Sequence, residues 1–241
     1  NARVLETYTL RPEVPLSARL RRGAGNFIKQ KPLGAFGAAV VLLLIAMALV
    51  PQAFTSLDPT KSALLDRYQG PSAAHWFGTD QQGRDLYTRI VYGTRNSIII
   101  GFGVVMISSS VALVLGVVSG YFGGGFDTLI QRVVDIGIAL PGLIFIILVV
   151  TSLQQIPVNL RIMLAVGSLS ALSSSRVIRG ASISAKQNQY VEAARVIGAS
   201  DFRIIFRHVT PNVFPILIIG ASIQVGGAVL VGLHQLIATG Q

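Results

Sequence analysis

The chain of 241 residues contains no cysteine and few charged residues. Without cysteine it forms no disulfide, carries no thiol nucleophile and builds no cysteine metal cluster. Charged residues make up 12% of the chain, whereas soluble domains average about a quarter. Hydrophobic residues make up 51%. This composition argues against a water-soluble globule and favours a membrane protein.

Acidic residues are scarcer than basic ones: the chain has 10 Asp+Glu against 20 Lys+Arg. On so apolar a chain, the basic excess is more typical of membrane loops than of nucleic-acid binding. None of the lysines follows a glycine, so the sequence has no Walker-type phosphate loop. We therefore expect no ATP site, no catalysis and no cofactor in this chain.

Histidines are equally sparse. His75, His208 and His234 lie on different segments, and none belongs to an i, i+4 pair of the kind that binds metals. The sequence therefore predicts no metal site. His75 precedes Trp76, and this pair is typical of an aromatic cluster at a membrane surface.

Long uncharged runs dominate the rest of the chain. A run of about 20 residues crosses a hydrocarbon core of about 30 Å as a helix. The runs predict an all-α fold, a polytopic transmembrane helical bundle in which each helix satisfies its own backbone polar groups. The five predicted spans are 33–50, 97–122, 136–153, 162–175 and 213–233, of which the fourth is the weakest because it contains many serines.

Proline and glycine mark the breaks between and within these spans. Pro141 is expected to kink the third span, since its ring removes a backbone hydrogen bond. The glycines at 123–125 predict a short, tight turn after the second span. Gly116 and Gly120 form a small-xxx-small pair that favours a close helix contact.

Basic residues near the span ends predict the orientation of the bundle. Most of them lie in the tail 1–32, which is rich in arginine, and in the loop 176–212. By the positive-inside rule, both segments are cytoplasmic and the loop 51–96 faces outward. We therefore divide the chain into a cytoplasmic basic tail, 1–32, and a transmembrane domain, 33–241.

The loop 176–212 is the most informative segment because its residues 187–212 predict two short helices. In the first, Tyr190, Ala193, Ala194 and Ile197 form an apolar stripe, and Gly198 follows where helices commonly end. In the second, which Ser200 or Asp201 is expected to cap, the stripe continues until Pro211 stops the helix. Its members are Phe202, Ile205, Phe206 and Val209, with Arg203 and Arg207 facing away.

A helix, a glycine turn and a basic second helix are also typical of a DNA-binding helix-turn-helix. Spans four and five lie close to the unit on both sides, however, so the membrane would hinder insertion into a major groove. A docking element for a cytoplasmic protein therefore fits better, although a membrane-anchored nucleic-acid regulator is a rival hypothesis.

The loop resembles a known family. Its pattern Glu192-Ala193-Ala194, three residues, Gly198 and then Pro211 is similar to the "EAA" motif of the membrane subunits of bacterial ABC importers. The string at 190–212, YVEAARVIGASDFRIIFRHVTPN, and the outward strings HWFGTD at 75–80 and GRD at 83–85 resemble the dipeptide/oligopeptide/nickel permeases, second permease type. The similarity extends over about residues 31–233.

This resemblance implies a translocation subunit of an ATP-driven importer for short peptides or a related solute, in the bacterial inner membrane with a cytoplasmic N-terminus. The implied partners are a homologous second permease, two ATP-binding cassette subunits that bind ATP and Mg, an extracytoplasmic solute-binding protein and membrane lipid, but no nucleic acid. The implied ATPase-docking and coupling residues are Tyr190, Glu192, Ala193, Ala194, Gly198, Ala199, Ser200 and Asp201.

The sequence departs from the family pattern in two places. His208 and Thr210 stand where the broad EAA pattern has aliphatic residues, although histidine at 208 is normal for the peptide subgroup. After about residue 233 the family continues to a sixth span, whereas this sequence ends at Gln241. We therefore expect an incomplete record of a six-span subunit, with a truncated or diverged protein as the alternative.

Several further features leave alternatives open. Arg132 and Asp135 are spaced for a local ion pair, while Arg176 and Arg179 are expected to reach lipid headgroups or to brace the coupling loop. The outward segment either helps to seat a binding protein or merely covers the bundle. Similarly, the loop 187–212 is also compatible with a non-transporting membrane scaffold that recruits a partner protein.

Overall fold

The computed structural model describes residues 29–239, and it describes side chains up to residue 227. The predicted tail up to residue 28 and the side chain of His234 therefore lie outside the described part. Residues 29–239 form helices, turns and one isolated bridge between Thr79 and Asp85, without a β-strand. The helices are α1 (Pro32–Leu49), α2 (Leu86–Phe122), α3 (Gly124–Ala139), α4 (Gly142–Ser152), α5 (Val158–Lys186), α6 (Gln189–Val196), α7 (Asp201–Ile204) and α8 (Thr210–Thr239).

The all-α fold is confirmed, and helices lie at all five predicted places. By length and composition, the candidate membrane spans are α1, α2 and the continuous helix Asp201–Gly227. The pair α3 and α4 is bent by 97° and forms a fourth candidate if both helices belong to one span. Helix α5, which contains the predicted span 162–175, is long enough but too polar to count in the same way.

The break between α3 and α4 follows from Pro141. Leu140, the residue before the proline, has an extended backbone with ψ of 135°, which is the conformation that a following proline favours. The helix therefore ends at Ala139 and restarts at Gly142. The predicted kink is thus a complete break, with a nearly perpendicular turn.

The turn between α2 and α3 is shorter than expected. Gly123 alone separates the two helices, and Gly123 and Gly124 have positive φ of 67° and 58°. Glycine adopts this left-handed conformation without the steric cost that a Cβ would bring. The third predicted span, which was expected to begin at residue 136, is therefore preceded by helix and not by a loop, since α3 begins at Gly124.

The core lies where α2 packs along α5, which is the most extensive helix contact in the described residues. The close approach depends on the predicted glycine pair. A Cβ at Gly116 would lie 2.7 Å from the Ser175 carbonyl oxygen, and one at Gly120 would lie 2.7 Å from that of Arg179. Gly116 and Gly120 therefore permit the two backbones to meet.

Candidate functional site

The predicted loop 176–212 is shorter in the structure. Helix α5 continues to Lys186, and the helix that leads into α8 begins at Asp201. The turn after α5 is built by Asn188, whose side-chain amide donates to the Ala185 carbonyl at 3.1 Å and to Tyr190 Oη at 3.2 Å. The Asn188 carbonyl accepts from the Val191 N–H at 2.9 Å, which starts α6.

Gly198 forms the turn between the two short helices, as predicted. Its φ is +81°, and the N–H of the next residue, Ala199, donates to the Ala194 carbonyl at 3.0 Å. This geometry closes the C-terminus of α6 with a left-handed glycine. Ser200 then occupies the position before α7, but its side chain makes no capping hydrogen bond. Ser200 therefore occupies the expected capping position without making the capping hydrogen bond.

The predicted apolar stripe of the first helix is confirmed only at Ala194. Val191 and Ala194 are buried, whereas Ala193 is exposed and Ile197 is 83% exposed. The buried pair packs in the cluster that contains Ile178 of α5. Contact with the bundle therefore decides which face of α6 is buried, because the sequence pattern of α6 would allow either face to be buried.

The second stripe is shifted as well. Ile204, Val209 and Val213 are buried, whereas Phe202 and Phe206 are exposed. Between Ile204 and Val209 the helix forms a π-turn, Ile205–Val209, in which the Thr210 N–H donates to the Ile205 carbonyl five residues earlier. This wider turn displaces the apolar positions by one residue relative to an α-helix.

Pro211 does not stop the helix, contrary to the prediction. It lies near the start of α8, directly after the π-turn, and the helix is continuous from Asp201 to Gly227. A proline in a helix lacks its N–H and crowds the carbonyl four residues earlier. The wider turn before Pro211 relieves this crowding, so the second of the two short helices runs directly into a candidate membrane span.

Four apolar side chains form an exposed ridge across the turn. Val196, Ile197, Phe202 and Phe206 are 87, 83, 71 and 60% exposed, and the rings of Phe202 and Phe206 lie 4.4 Å apart. We call this set the exposed ridge. Large apolar side chains exposed on both sides of one short turn are typical of a protein interface. The ridge lies between residues of the predicted coupling set, and its exposure was not apparent from the apolar pattern.

A cleft of about 390 Å³ lies between α6, the end of α2 and the start of α3. Glu192 and Arg195 of α6 line it together with Lys186 of α5 and Asp127 of α3. The exposed Glu192 therefore borders a cleft of mixed charge, while Tyr190 packs with its ring centroid 6.0 Å from that of His208.

Asp201 is tied to the bundle by a contact that no sequence spacing indicates. Its Oδ1 accepts the hydroxyl of Tyr121 at 2.5 Å, across 80 residues of sequence. Tyr121 lies in the last turn of α2 and is 2% exposed. Asp201, one of the predicted coupling residues, therefore fixes the start of α7 to the end of α2.

Ion pairs join α3 to α5 and correct one expectation. The Arg179 guanidinium binds Asp127 in a fork, with Nε at 2.6 Å from Oδ1 and Nη2 at 2.5 Å from Oδ2. Arg176 binds Asp135 at 2.5 Å, so the carboxylate of Asp135 pairs with α5 and not with Arg132 as predicted. Arg176 and Arg179 thus brace the bundle beside the coupling loop.

The motif at 75–85, which the sequence predicts to face outward, folds into a tight structure before α2. Burial opposes ionisation of Asp80, but hydrogen bonds from the backbone N–H groups of Arg84 and Gln82 and the Arg84 guanidinium outweigh it and lower the pKa of Asp80 below its ordinary 3.8. Arg89 of α2 binds the same carboxylate at 2.7 Å. The motif therefore anchors the loop to the first turns of α2.

Asp85 caps α2 by accepting from the Thr88 N–H at 2.7 Å, and its other oxygen lies 3.0 Å from His75 Nδ1. Burial raises the pKa of Asp85, but the hydrogen bonds from Thr88 and His75 outweigh this effect and lower the pKa overall. Trp76 packs against Tyr87, with ring centroids 5.0 Å apart. An aromatic cluster thus forms at the start of α2, as the sequence predicts.

Comparison with known proteins identifies similar chains. Residues 112–237 match the family model "Binding-protein-dependent transport system inner membrane component". The chain is 36% identical to the probable D,D-dipeptide transport system permease protein DdpC of Escherichia coli, over 84% of this chain and 67% of that one. It is 35% identical to the dipeptide permease DppC of Alkalihalophilus pseudofirmus, over 87% and 68%, and 35% identical to the glutathione permease GsiD of Pectobacterium atrosepticum, over 85% and 67%.

Proposed function

Because this chain belongs to the family of inner membrane components of binding-protein-dependent transport systems, it is a transmembrane subunit of an ABC importer, and we propose that residues 187–212 dock a separate ATPase subunit and couple its closure to solute import. The chain itself is a permease subunit. We propose that ATP and Mg are bound by two partner ATP-binding cassette subunits.

The observation that carries the docking proposal is the exposed ridge at the turn between α6 and α7. Its four apolar side chains are held outward on a turn that Gly198 fixes, while Val191, Ala194 and Ile204 are buried against the bundle. Apolar surface gains free energy when another surface removes it from water. A protein that covers the ridge would therefore bind a rigid, preformed feature of this chain.

Coupling follows from how the loop is attached. The helix Asp201–Gly227 is continuous with a candidate span, so a force on α7 acts on that span directly. Helix α6 is held on α5 and α2 through its buried residues. We propose that closure of the ATPase pair tilts these helices between inward-facing and outward-facing arrangements, and that Tyr190, Glu192, Ala193, Ala194, Gly198, Ala199, Ser200 and Asp201 form the coupling surface.

The proposed solute is a short peptide or a related compound, because the similar chains are named for D,D-dipeptides, dipeptides, oligopeptides and glutathione. We further propose a homologous second permease, an extracytoplasmic binding protein that the outward segment helps to seat, and a bacterial inner-membrane location with a cytoplasmic N-terminus. The residues that select a particular solute, or that line its path, would then lie largely outside the coupling loop of this chain.

Copurification of the assembled transporter tests the docking proposal. Ile197→Glu places a charge on the ridge without disturbing a buried residue, so we expect the permease pair to remain in the membrane and to lose the ATPase subunits. Glu192→Arg and a bulky residue at Gly198 are expected to uncouple uptake from ATP hydrolysis. Leu65→Glu is the control, since Leu65 is 99% exposed but lies in the outward segment.

The results separate the proposal from its alternatives. A scaffold would retain a partner without any solute uptake by the wild-type assembly. Ile197→Glu particles that keep a full complement of ATPase would contradict docking at the ridge. Retained uptake in both the Glu192 and Gly198 variants would contradict the coupling assignment.

A further inference from the structure

Tyr121 lies where the end of α2 meets the end of α5. It lies in the last turn of α2, one residue before the helix ends at Phe122, and its side chain is buried. Carbonyl groups in the last turn of a helix have no partner within the helix. Here the Tyr121 carbonyl accepts from Lys186 Nζ at 2.5 Å, and Lys186 is the last residue of α5.

The side chain of Tyr121 makes a second set of contacts, to both coupling helices. Its hydroxyl donates to Asp201 Oδ1 of α7 at 2.5 Å. Its ring lies 5.6 Å from the guanidinium carbon of Arg195 in α6, and 5.4 Å from Lys186 Nζ. We call Tyr121, Lys186, Arg195 and Asp201 the Tyr121 cluster.

These polar contacts differ in kind from the apolar packing around them. Val191, Ala194 and Ile204 also attach the coupling helices to α2 and α5. Hydrophobic contact is non-directional, so it permits a helix to slide or rotate over its neighbour. A hydrogen bond between a hydroxyl and a carboxylate is short, strong and directional. The cluster therefore fixes the position of α7 relative to the end of α2, which packing alone does not.

We propose that Tyr121 is the positioning residue for coupling in this permease: its hydroxyl holds α7 to the end of α2, so that displacement of the coupling helices moves α2. The proposal rests on the proposed function and extends it to a residue outside the coupling loop. Helix α2 has the longest contact with α5, so motion delivered to its end reaches the centre of the bundle.

The decisive variant is Tyr121→Phe, which keeps the ring and removes only the hydroxyl. The assembled transporter is reconstituted in liposomes with its binding protein and the peptides of a casein hydrolysate, and imported peptide and hydrolysed ATP are both measured. We expect normal assembly and ATP hydrolysis, with about a ten- to hundredfold fall in peptide imported per ATP, in line with the loss of one charge-assisted hydrogen bond. Tyr92→Phe, on the same helix but at its outward end, is the matched control.

A double-mutant cycle that combines variants of Tyr121 and Asp201 measures the interaction between the two side chains. Its result therefore does not depend on an assembly defect in a single variant. Asp201→Asn keeps an oxygen acceptor and should retain most of the coupling, whereas Asp201→Ala should lose as much as Tyr121→Phe. Combined Tyr121→Phe and Asp201→Ala should lose no more than either alone. Additive losses, or a wild-type import ratio in Tyr121→Phe, overturn the inference.

Failure of the proposed function is distinguishable from failure of this inference. The first would appear in the wild-type assembly, as ATP hydrolysis that neither the binding protein nor peptide stimulates. The second would appear only in the Tyr121 and Asp201 variants of an assembly that transports normally.

Discussion

Arg179 of α5 and Asp127 of α3 form a two-point ion pair between these two helices. The two hydrogen bonds are 2.6 and 2.5 Å long and join residues 52 positions apart. The carboxylate lies in the first turn of α3 and the guanidinium near the cytoplasmic end predicted for α5. The pair therefore holds α3 beside the coupling loop, next to the cleft that Glu192 and Arg195 line.

We expect Arg179→Ala to destabilise the bundle by about 1 to 3 kcal/mol, because it leaves a partly buried carboxylate without its charged partner. The side chain of Asp127 is only 14% exposed in the pair. Thermal unfolding of the purified protein in detergent measures the change.

Arg179→Lys should cost less, since lysine retains the charge but cannot form the fork. The exchange Asp127→Arg with Arg179→Asp should recover much of the loss. If the exchanged protein is no more stable than Arg179→Ala, the pair does not stabilise this contact.

Gly78 and Gly83 are expected to be irreplaceable in the outward segment. Both have positive φ, +76° and +72°, and a Cβ at either would overlap a carbonyl oxygen, that of Gln69 or of Ala63. Alanine at either position should therefore destabilise the segment by on the order of 3 kcal/mol. The emission of Trp76, the single tryptophan of the chain, reports unfolding of this segment during denaturant titration.

Gly70→Ala is the matched control, because a Cβ at Gly70 meets no atom within 4 Å. We expect it to unfold like the wild type. Equal losses of stability at Gly70 and Gly83 would contradict the role of the close backbone approach, because alanine by itself lowers the entropy of the unfolded chain and does not destabilise the fold.

Acid should loosen the outward segment only at low pH. The pKa values of Asp80 and Asp85 are lowered below 3.8 in the folded segment. A carboxylate with a lowered pKa stabilises the fold above its unfolded pKa, and this stabilisation disappears as the pH falls through the folded value. Trp76 emission should therefore remain constant from about pH 7 to about pH 5 and change below about pH 4.

Asp80→Asn provides the comparison for this titration. The amide offers one oxygen acceptor in place of two, so the variant should be less stable at neutral pH and less sensitive to acid. A transition of the wild-type segment centred above about pH 5 would contradict the assignment of its acid sensitivity to Asp80 and Asp85.

The helices were predictable because each depends on local composition. Uncharged runs locate α1, α2 and α8, and Pro141 locates the break between α3 and α4, since a missing N–H acts within one turn. Helix α5 was underestimated at 162–175 because its serines lower the hydropathy, although burial against α2 stabilises the whole of Val158–Lys186. The length of α5 is therefore set by its tertiary contact with α2.

The position of the candidate site along the chain was predictable. Which faces of its helices are buried was less predictable. Gly198 and the position of Ser200 follow from local turn chemistry. The π-turn at 205–209 shifts the buried positions to Ile204, Val209 and Val213, and no 3.6-residue pattern contains that shift. The pair Tyr121 and Asp201 joins distant segments, so only the folded chain reveals it.

The two alanines of the EAA string are expected to act in different ways, which a matched pair of variants can separate. Ala194 is 5% exposed and packs in the cluster that holds α6 to the bundle, whereas Ala193 is exposed and belongs to the surface that we propose docks the ATPase. Ala194→Leu should therefore overpack the contact and destabilise the protein by about 1 to 3 kcal/mol. Ala193→Leu should leave thermal stability unchanged and weaken binding of the ATPase, because the larger side chain blocks close approach of a partner surface. Stability and ATPase retention are measured on both purified variants, and equal losses of stability would contradict this division between a structural and a docking alanine.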